Sequence, residues 1–126
     1  MRHTVFVYGS LKRVHYNHDL LGNSKFLGTV TTRDKYSMYS LGCFPAIKKD
    51  SNGLPVVGEL YSVSDEVLKT LDMLEGHPDM YCREEITLSD DRKANGYIFV
   101  DSLNPNTIIE PINGVYDWVK NESNQM

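Results

Sequence analysis

The spacing of apolar and polar residues changes several times along the chain, and each change marks an element. Residues 3–8, HTVFVY, carry Val, Phe and Tyr on both parities, the pattern of a central strand covered on both faces. This strand breaks at Gly9-Ser10. A short helix over 16–21 is predicted next, ending at Gly22. Residues 26–41 return to strand chemistry, with Val30, Tyr36 and Tyr39 among several threonines, interrupted near Arg33-Asp34 and closed by the loop 42–45. Two strands paired with each other are expected there. After the turn Asp50-Ser51-Asn52-Gly53, residues 56–63 have the composition of a further strand.

Helical periodicity is clearest over 64–76. Ser64 suits a cap, Asp65 and Glu66 suit the positive end of a helix, and Val67, Leu68, Leu71 and Leu74 fall on one face. Gly76 and Pro78 end it. Residues 81–88 and 95–101 read as two strands joined by the polar turn 89–94. A last turn or two of helix around 115–119 is expected to pack Tyr116 and Trp118, with the polar tail 121–126 frayed. Strands outnumber helices without strict alternation. The expected fold class is therefore α+β, a mixed sheet or small β-barrel with helices outside, in one domain spanning 1–126.

Composition narrows the function classes. A formal charge of −4, with no run of Lys or Arg, leaves no electrostatic footprint for nucleic acid or an anionic membrane. The apolar stretch Val5 to Val7 is too short for a signal-peptide core or a membrane span, so a soluble, cytoplasmic protein is expected. Cys43 and Cys82 are the only cysteines and lack the spacing of a zinc site, so two reduced, half-buried thiols are expected. The sequence offers Cys43 no partner as a nucleophile. His15 and His18 can share a helical face but lack a third ligand, so they read as a surface pair and no metal is expected.

Two places carry candidate chemistry. A strand breaking into Gly9-Ser10-Leu11 is either an ordinary turn or a nest of backbone N–H groups able to hold a carboxylate or oxyanion. Lys12 and Arg13 either add positive charge beside it or are solvated. Glu75 sits at the C-terminal end of the best helix, where the macrodipole disfavours a carboxylate. It is either an exposed residue at a frayed end or, among Leu71, Leu74 and Tyr81, a carboxyl raised toward neutral pH and able to pass a proton both ways.

The blocks FVYGSLKR, GCFPAIKK, VVGELYSVSDEVLKTLDMLEGHPDMYCRE and GYIFV, in this order, resemble the γ-glutamylcyclotransferase family, especially its γ-glutamylamine cyclotransferase-like branch. The resemblance runs from Val5 to about Val100. It implies a small mixed β-barrel with flanking helices, no metal or cofactor, and a small-molecule γ-glutamyl substrate closed intramolecularly to 5-oxoproline. Tyr8, Gly9, Ser10 and Leu11 then form the substrate-holding loop, Glu75 is the general acid/base and Tyr81 lines the pocket. Two departures bear on substrate choice: Val14 stands where the family usually has Gly, and Phe99 where it often has a hydroxylated aromatic, the tyrosine here being Tyr97. Tyr97 and Phe99 read as core. Arg83 pairs either with a substrate carboxylate or with Glu59, Glu84 or Glu85. A non-catalytic binding module on the same fold, or a relative acting on another modified amine, is compatible with the same residues.

Overall fold

The computed structural model describes residues 2–9, 12, 21–22 and 24–118. Ser10, Leu11, Arg13, Val14, His15, His18, the body of the helix expected over 16–21 and the tail 121–126 lie outside the described residues. The elements are β1 (Arg2–Val7), β2 (Lys25–Thr31), β3 (Tyr36–Ser40), β4 (Pro45–Lys49), β5 (Val57–Ser64), α1 (Asp65–Glu75), β6 (Tyr81–Thr87) and β7 (Lys93–Phe99), with a 3-10 turn at Pro105–Thr107.

Five strands form one sheet in the order β2-β5-β1-β7-β6, with β1 and β7 parallel and the other neighbours antiparallel. β1 is the middle strand, as its two-sided hydrophobicity predicts. Phe6 and Tyr8 enter one core with Leu60, Ile86, Leu88 and Ile98. Val5 and Val7 enter the other with Tyr61, Val63, Leu68, Leu71, Tyr81 and Tyr97. The period-2 alternation of a strand thus feeds two hydrophobic layers at once.

The sheet is not closed into a barrel. Its edge strands β2 and β6 meet at a Thr32–Leu88 bridge just past their ends, without forming a ladder. The fold is a mixed α+β sheet with one α-helix among the described residues. β2 and β3 do not pair with each other, contrary to expectation: β2 pairs with β5, and β3 with β4. The Thr32 hydroxyl donates to the Asp34 carbonyl (2.7 Å) and accepts from the Val56 N–H (2.9 Å), which turns the chain out of the sheet before β3 begins. The β3–β4 hairpin is pinned across the sheet by Lys48, whose Nζ donates to the carbonyls of Phe99, Val100 and Asp101 at 3.1, 3.2 and 2.7 Å.

α1 has the predicted ends. The Ser64 hydroxyl accepts from the Val67 N–H at 3.2 Å, and Gly76 takes the left-handed conformation (φ 67°) that terminates the helix. Leu68 and Leu71 are buried, while Leu74, placed on the same face by spacing, is exposed. The helix expected around 115–119 is instead extended over its described residues. Tyr116 bridges Val56 in parallel, its N–H donating to the Pro55 carbonyl at 2.9 Å and its own carbonyl accepting from Val57 N–H at 2.8 Å. Tyr116 and Trp118 are nonetheless buried, as their size predicts.

Candidate active site

The last turn of α1, the end of β1 and the facing residues of β6 and β7 converge on Glu75. Its carboxyl is partly buried, and among the described residues it has no hydrogen-bond donor. Burial alone pushes it up to about 7. Its charge is felt at three tyrosine hydroxyls, each raised first by its own burial: Tyr8 from the end of β1, Tyr81 from β6 and Tyr97 from β7. The sequence points to this carboxyl through the helix macrodipole, whereas the upward shift comes from desolvation.

Tyr8 is buried, and its hydroxyl donates to the Tyr97 carbonyl at 2.7 Å. Tyr81 is buried as well; its hydroxyl donates to the Pro45 carbonyl at 2.8 Å and its ring meets Phe99 edge-on at 5.1 Å. Pro45 also closes on Gly9. A Cβ at Gly9 would stand 2.7 Å and 2.8 Å from the Pro45 Cδ and Cγ atoms, so this glycine is required by close approach. Gly9 is absent from the left-handed positions of the backbone. Tyr8, Gly9, Glu75 and Tyr81 are therefore brought into one neighbourhood, while Ser10 and Leu11 fall outside the described residues.

Lys12 is buried rather than solvated, with Nζ 3.0 Å from the Asp117 carboxylate. Arg83 has a partner that sequence reasoning missed. Its Nε and Nη2 donate to the two carboxylate oxygens of Asp72 at 2.8 and 3.0 Å, and the Tyr97 hydroxyl adds a third bond to Asp72 at 2.7 Å. The backbone N–H of Arg83 donates to His77 Nδ1 at 2.9 Å, and the His77 N–H returns to the Asp72 carbonyl at 2.9 Å. Burial pulls Asp72 upward, but the bonds from Arg83 and Tyr97 outweigh it and hold the carboxyl below its ordinary value. The available signal was the i, i+3 spacing of Asp72 and Glu75 in LDMLEG, two acids on the last turn of one helix.

Cys43 is exposed, contrary to expectation, and Cys82 is partly buried. Among the described residues no group of three or more His, Cys, Asp or Glu has a metal-binding arrangement. An open groove of about 380 Å³ lined by Asp34, Lys35, Lys49, Asp50 and Ser51 includes none of the candidate residues.

The family model described as "Gamma-glutamyl cyclotransferase, AIG2-like" matches residues 5–119. The chain belongs to this family. A putative gamma-glutamylcyclotransferase of Methanocaldococcus jannaschii is 44% identical over 85 residues, covering 67% of this chain and 70% of the relative. Gamma-glutamylaminecyclotransferase A of Danio rerio is 34% identical over 127 residues, covering 90% and 78%. The crystal structure of an AIG2-like protein from Mus musculus superposes with a TM-score of 0.77 at 25% identity, covering 92% of this chain and 88% of that one. This γ-glutamyl cyclotransferase family member is thus an enzyme of the γ-glutamylcyclotransferase class, and its mixed sheet, with one α-helix among the described residues, matches the fold of the mouse protein. Among the described residues no helix is long and apolar enough to cross a membrane.

Proposed function

We propose that the protein releases an amine or amino acid from a small γ-glutamyl compound by intramolecular ring closure to 5-oxoproline, with Glu75 as general acid/base. The α-nitrogen attacks the γ-carbonyl carbon; a new C–N bond forms and the old amide C–N bond breaks. Two protons leave the α-nitrogen, and the departing nitrogen gains two when it leaves as an ammonium. A carboxyl raised to about 7 is matched to that traffic, because it takes a proton from the ammonium and returns one to the leaving group at little cost in either direction.

The observation that carries this reading is the Glu75 carboxyl itself. It is desolvated, free of hydrogen-bond donors among the described residues, and set beside Tyr8 and the Gly9 loop rather than tied into an ion pair. A structural carboxylate is expected to look like Asp72. The loop 9–11 supplies backbone donors for the substrate's α-carboxylate, folding the substrate back toward its near-attack conformation. Tyr8 and Tyr81, whose hydroxyls feel the Glu75 charge, line the proposed pocket. No step calls for a metal or an organic cofactor.

The test is incubation of the protein with a panel of γ-glutamyl amines and γ-glutamyl amino acids, followed by mass spectrometry. Appearance of 5-oxoproline with stoichiometric free amine is the expected result. Folded protein that binds panel members without forming 5-oxoproline from any of them would make it a binding module on this fold.

A further inference from the structure

Tyr97 touches both halves of the candidate site through different atoms. Its hydroxyl donates to Asp72 at 2.7 Å, on the helix turn that carries Glu75. Its carbonyl accepts from the Tyr8 hydroxyl at 2.7 Å, on the strand end that leads into Gly9. The residue is buried on β7, the parallel neighbour of β1. One rigid residue on a central strand thus holds the turn bearing the proposed base and the strand feeding the proposed substrate loop. Glu75 has no hydrogen bond of its own among the described residues to fix its place. Its position is inherited from the backbone of its turn, and that turn is anchored through Asp72.

The hydroxyl of Tyr97 is also more than Asp72 needs to be satisfied. Arg83 already supplies a donor to each carboxylate oxygen. Removing the Tyr97 hydroxyl strands no buried charge, so its effect on stability is small while its effect on geometry is direct. We propose that Tyr97 is a positioning residue that sets the separation between Glu75 and the Gly9 loop, through its hydroxyl on Asp72 and its carbonyl on Tyr8. The proposal rests on the cyclotransferase reading, and its test has one arm that does not.

The first arm is the kinetics of Tyr97→Phe on a γ-glutamyl compound that the wild type cyclises. A misplaced base acts on the chemical step, so kcat falls tenfold or more, KM stays within about twofold, and the melting temperature moves by only a few degrees. Unchanged kcat overturns the proposal, and so does an equal loss in kcat and rise in KM accompanied by a collapse of the melting temperature.

The second arm is the titration of Glu75, followed by carbon NMR on protein labelled at glutamate, with the Glu75 signal assigned by its absence in Glu75→Gln. Facing Glu75 are the hydroxyls of Tyr8, Tyr81 and Tyr97. Its helix neighbour Asp72 is held by Arg83, and from β5 the Tyr61 hydroxyl donates to Glu59. In Tyr97→Phe the loosened turn admits water, and the Glu75 midpoint falls toward that of an ordinary glutamate. Asp72→Asn, which weakens the same anchor from its other end, moves it in the same direction. A midpoint equal to wild type in both variants overturns the proposal whatever the activity. Failure of the wild type to cyclise any compound, with the midpoint shift present, would count against the cyclotransferase reading alone.

Discussion

Asp72 and Glu75 stand one helical turn apart at the end of α1, and their surroundings drive them in opposite directions. Asp72 receives three donors from Arg83 and Tyr97 and is held below the ordinary carboxylate range. Glu75 receives none among the described residues and is pushed up to about 7 by burial. On the proposed function, the difference separates a structural acid from a chemical one. A carboxylate that anchors a turn is saturated with hydrogen bonds and stays charged; one that moves protons is left dry and unpaired, at a cost to stability.

The largest expected effect comes from removing the unsaturated acid. Glu75→Gln keeps the shape and loses the proton, so kcat/KM falls by about three orders of magnitude, the range of a lost general acid/base. The melting temperature at pH 8 stays level or rises, because a carboxylate buried at a cost is gone. A fall of many degrees would mean that Glu75, like Asp72, holds the fold together.

Gly9→Val follows. The Cβ alone overlaps the Pro45 ring at 2.7 and 2.8 Å, so the loop or the Pro45 turn must shift, costing about 1–3 kcal/mol in overpacking. Activity is expected to drop at least a hundredfold, with a lower melting temperature. Steady-state kinetics beside a melting curve would show both, and a fully active Gly9→Val would remove the loop from the account.

Asp72→Ala should behave as the mirror image of Glu75→Gln in stability. Removing a half-buried acceptor shared by Arg83 and Tyr97 costs about 1–3 kcal/mol. The pH dependence differs in sign for the two acids. Asp72 has a folded value below its unfolded one, so its contribution is complete above the unfolded value and is lost as pH falls through the folded one. Glu75 has a folded value near 7 against an ordinary 4.5, so in that window the folded state binds more protons and stability declines as pH rises. Denaturant melts across pH 2.5–8 should therefore lose the acid-side slope in Asp72→Ala and the neutral-side slope in Glu75→Gln. Ser10→Ala is the smallest effect: the backbone amide remains when the hydroxyl goes, so kcat/KM changes less than about threefold. Inactivity equal to that of Glu75→Gln in a folded Ser10→Ala would assign chemistry to the hydroxyl.

What was readable in advance follows from how local each feature is. α1 carries its own instructions in Ser64, Leu68, Leu71 and Gly76, and its ends came out as expected. The centrality of β1 lies in its two-sided hydrophobicity. β4 is hard to read in the sequence because Pro45-Ala46-Ile47-Lys48-Lys49 has no clean alternation, and a proline opening a strand reads as a loop. Adjacency in sequence favours a β2–β3 pair, whereas the fold places β5 beside β2 and β4 beside β3. Val115, Tyr116 and Trp118 fit a helical stripe and an extended segment equally well, and Val56 decides for the latter. Glu75 was visible as a charge at the wrong end of a dipole. The Asp72–Arg83–Tyr97 cluster was not, because it joins three elements whose alignment exists only once the sheet has formed. Spacing leaves Arg83 open to a substrate carboxylate or to Glu59, Glu84 or Glu85, and only the packing of β6 on α1 brings it to Asp72.

The central claim is that Glu75 acts as the base, and the pH dependence of kcat/KM tests it most directly, since that ratio reports ionisations of the free enzyme. Measured from pH 5 to 8 on a γ-glutamyl compound the protein cyclises, the rate should rise along an acid limb with its midpoint near 7, as the Glu75 carboxyl loses its proton. A flat profile through that range, or a Glu75→Gln variant that keeps both the limb and the wild-type rate, would contradict it.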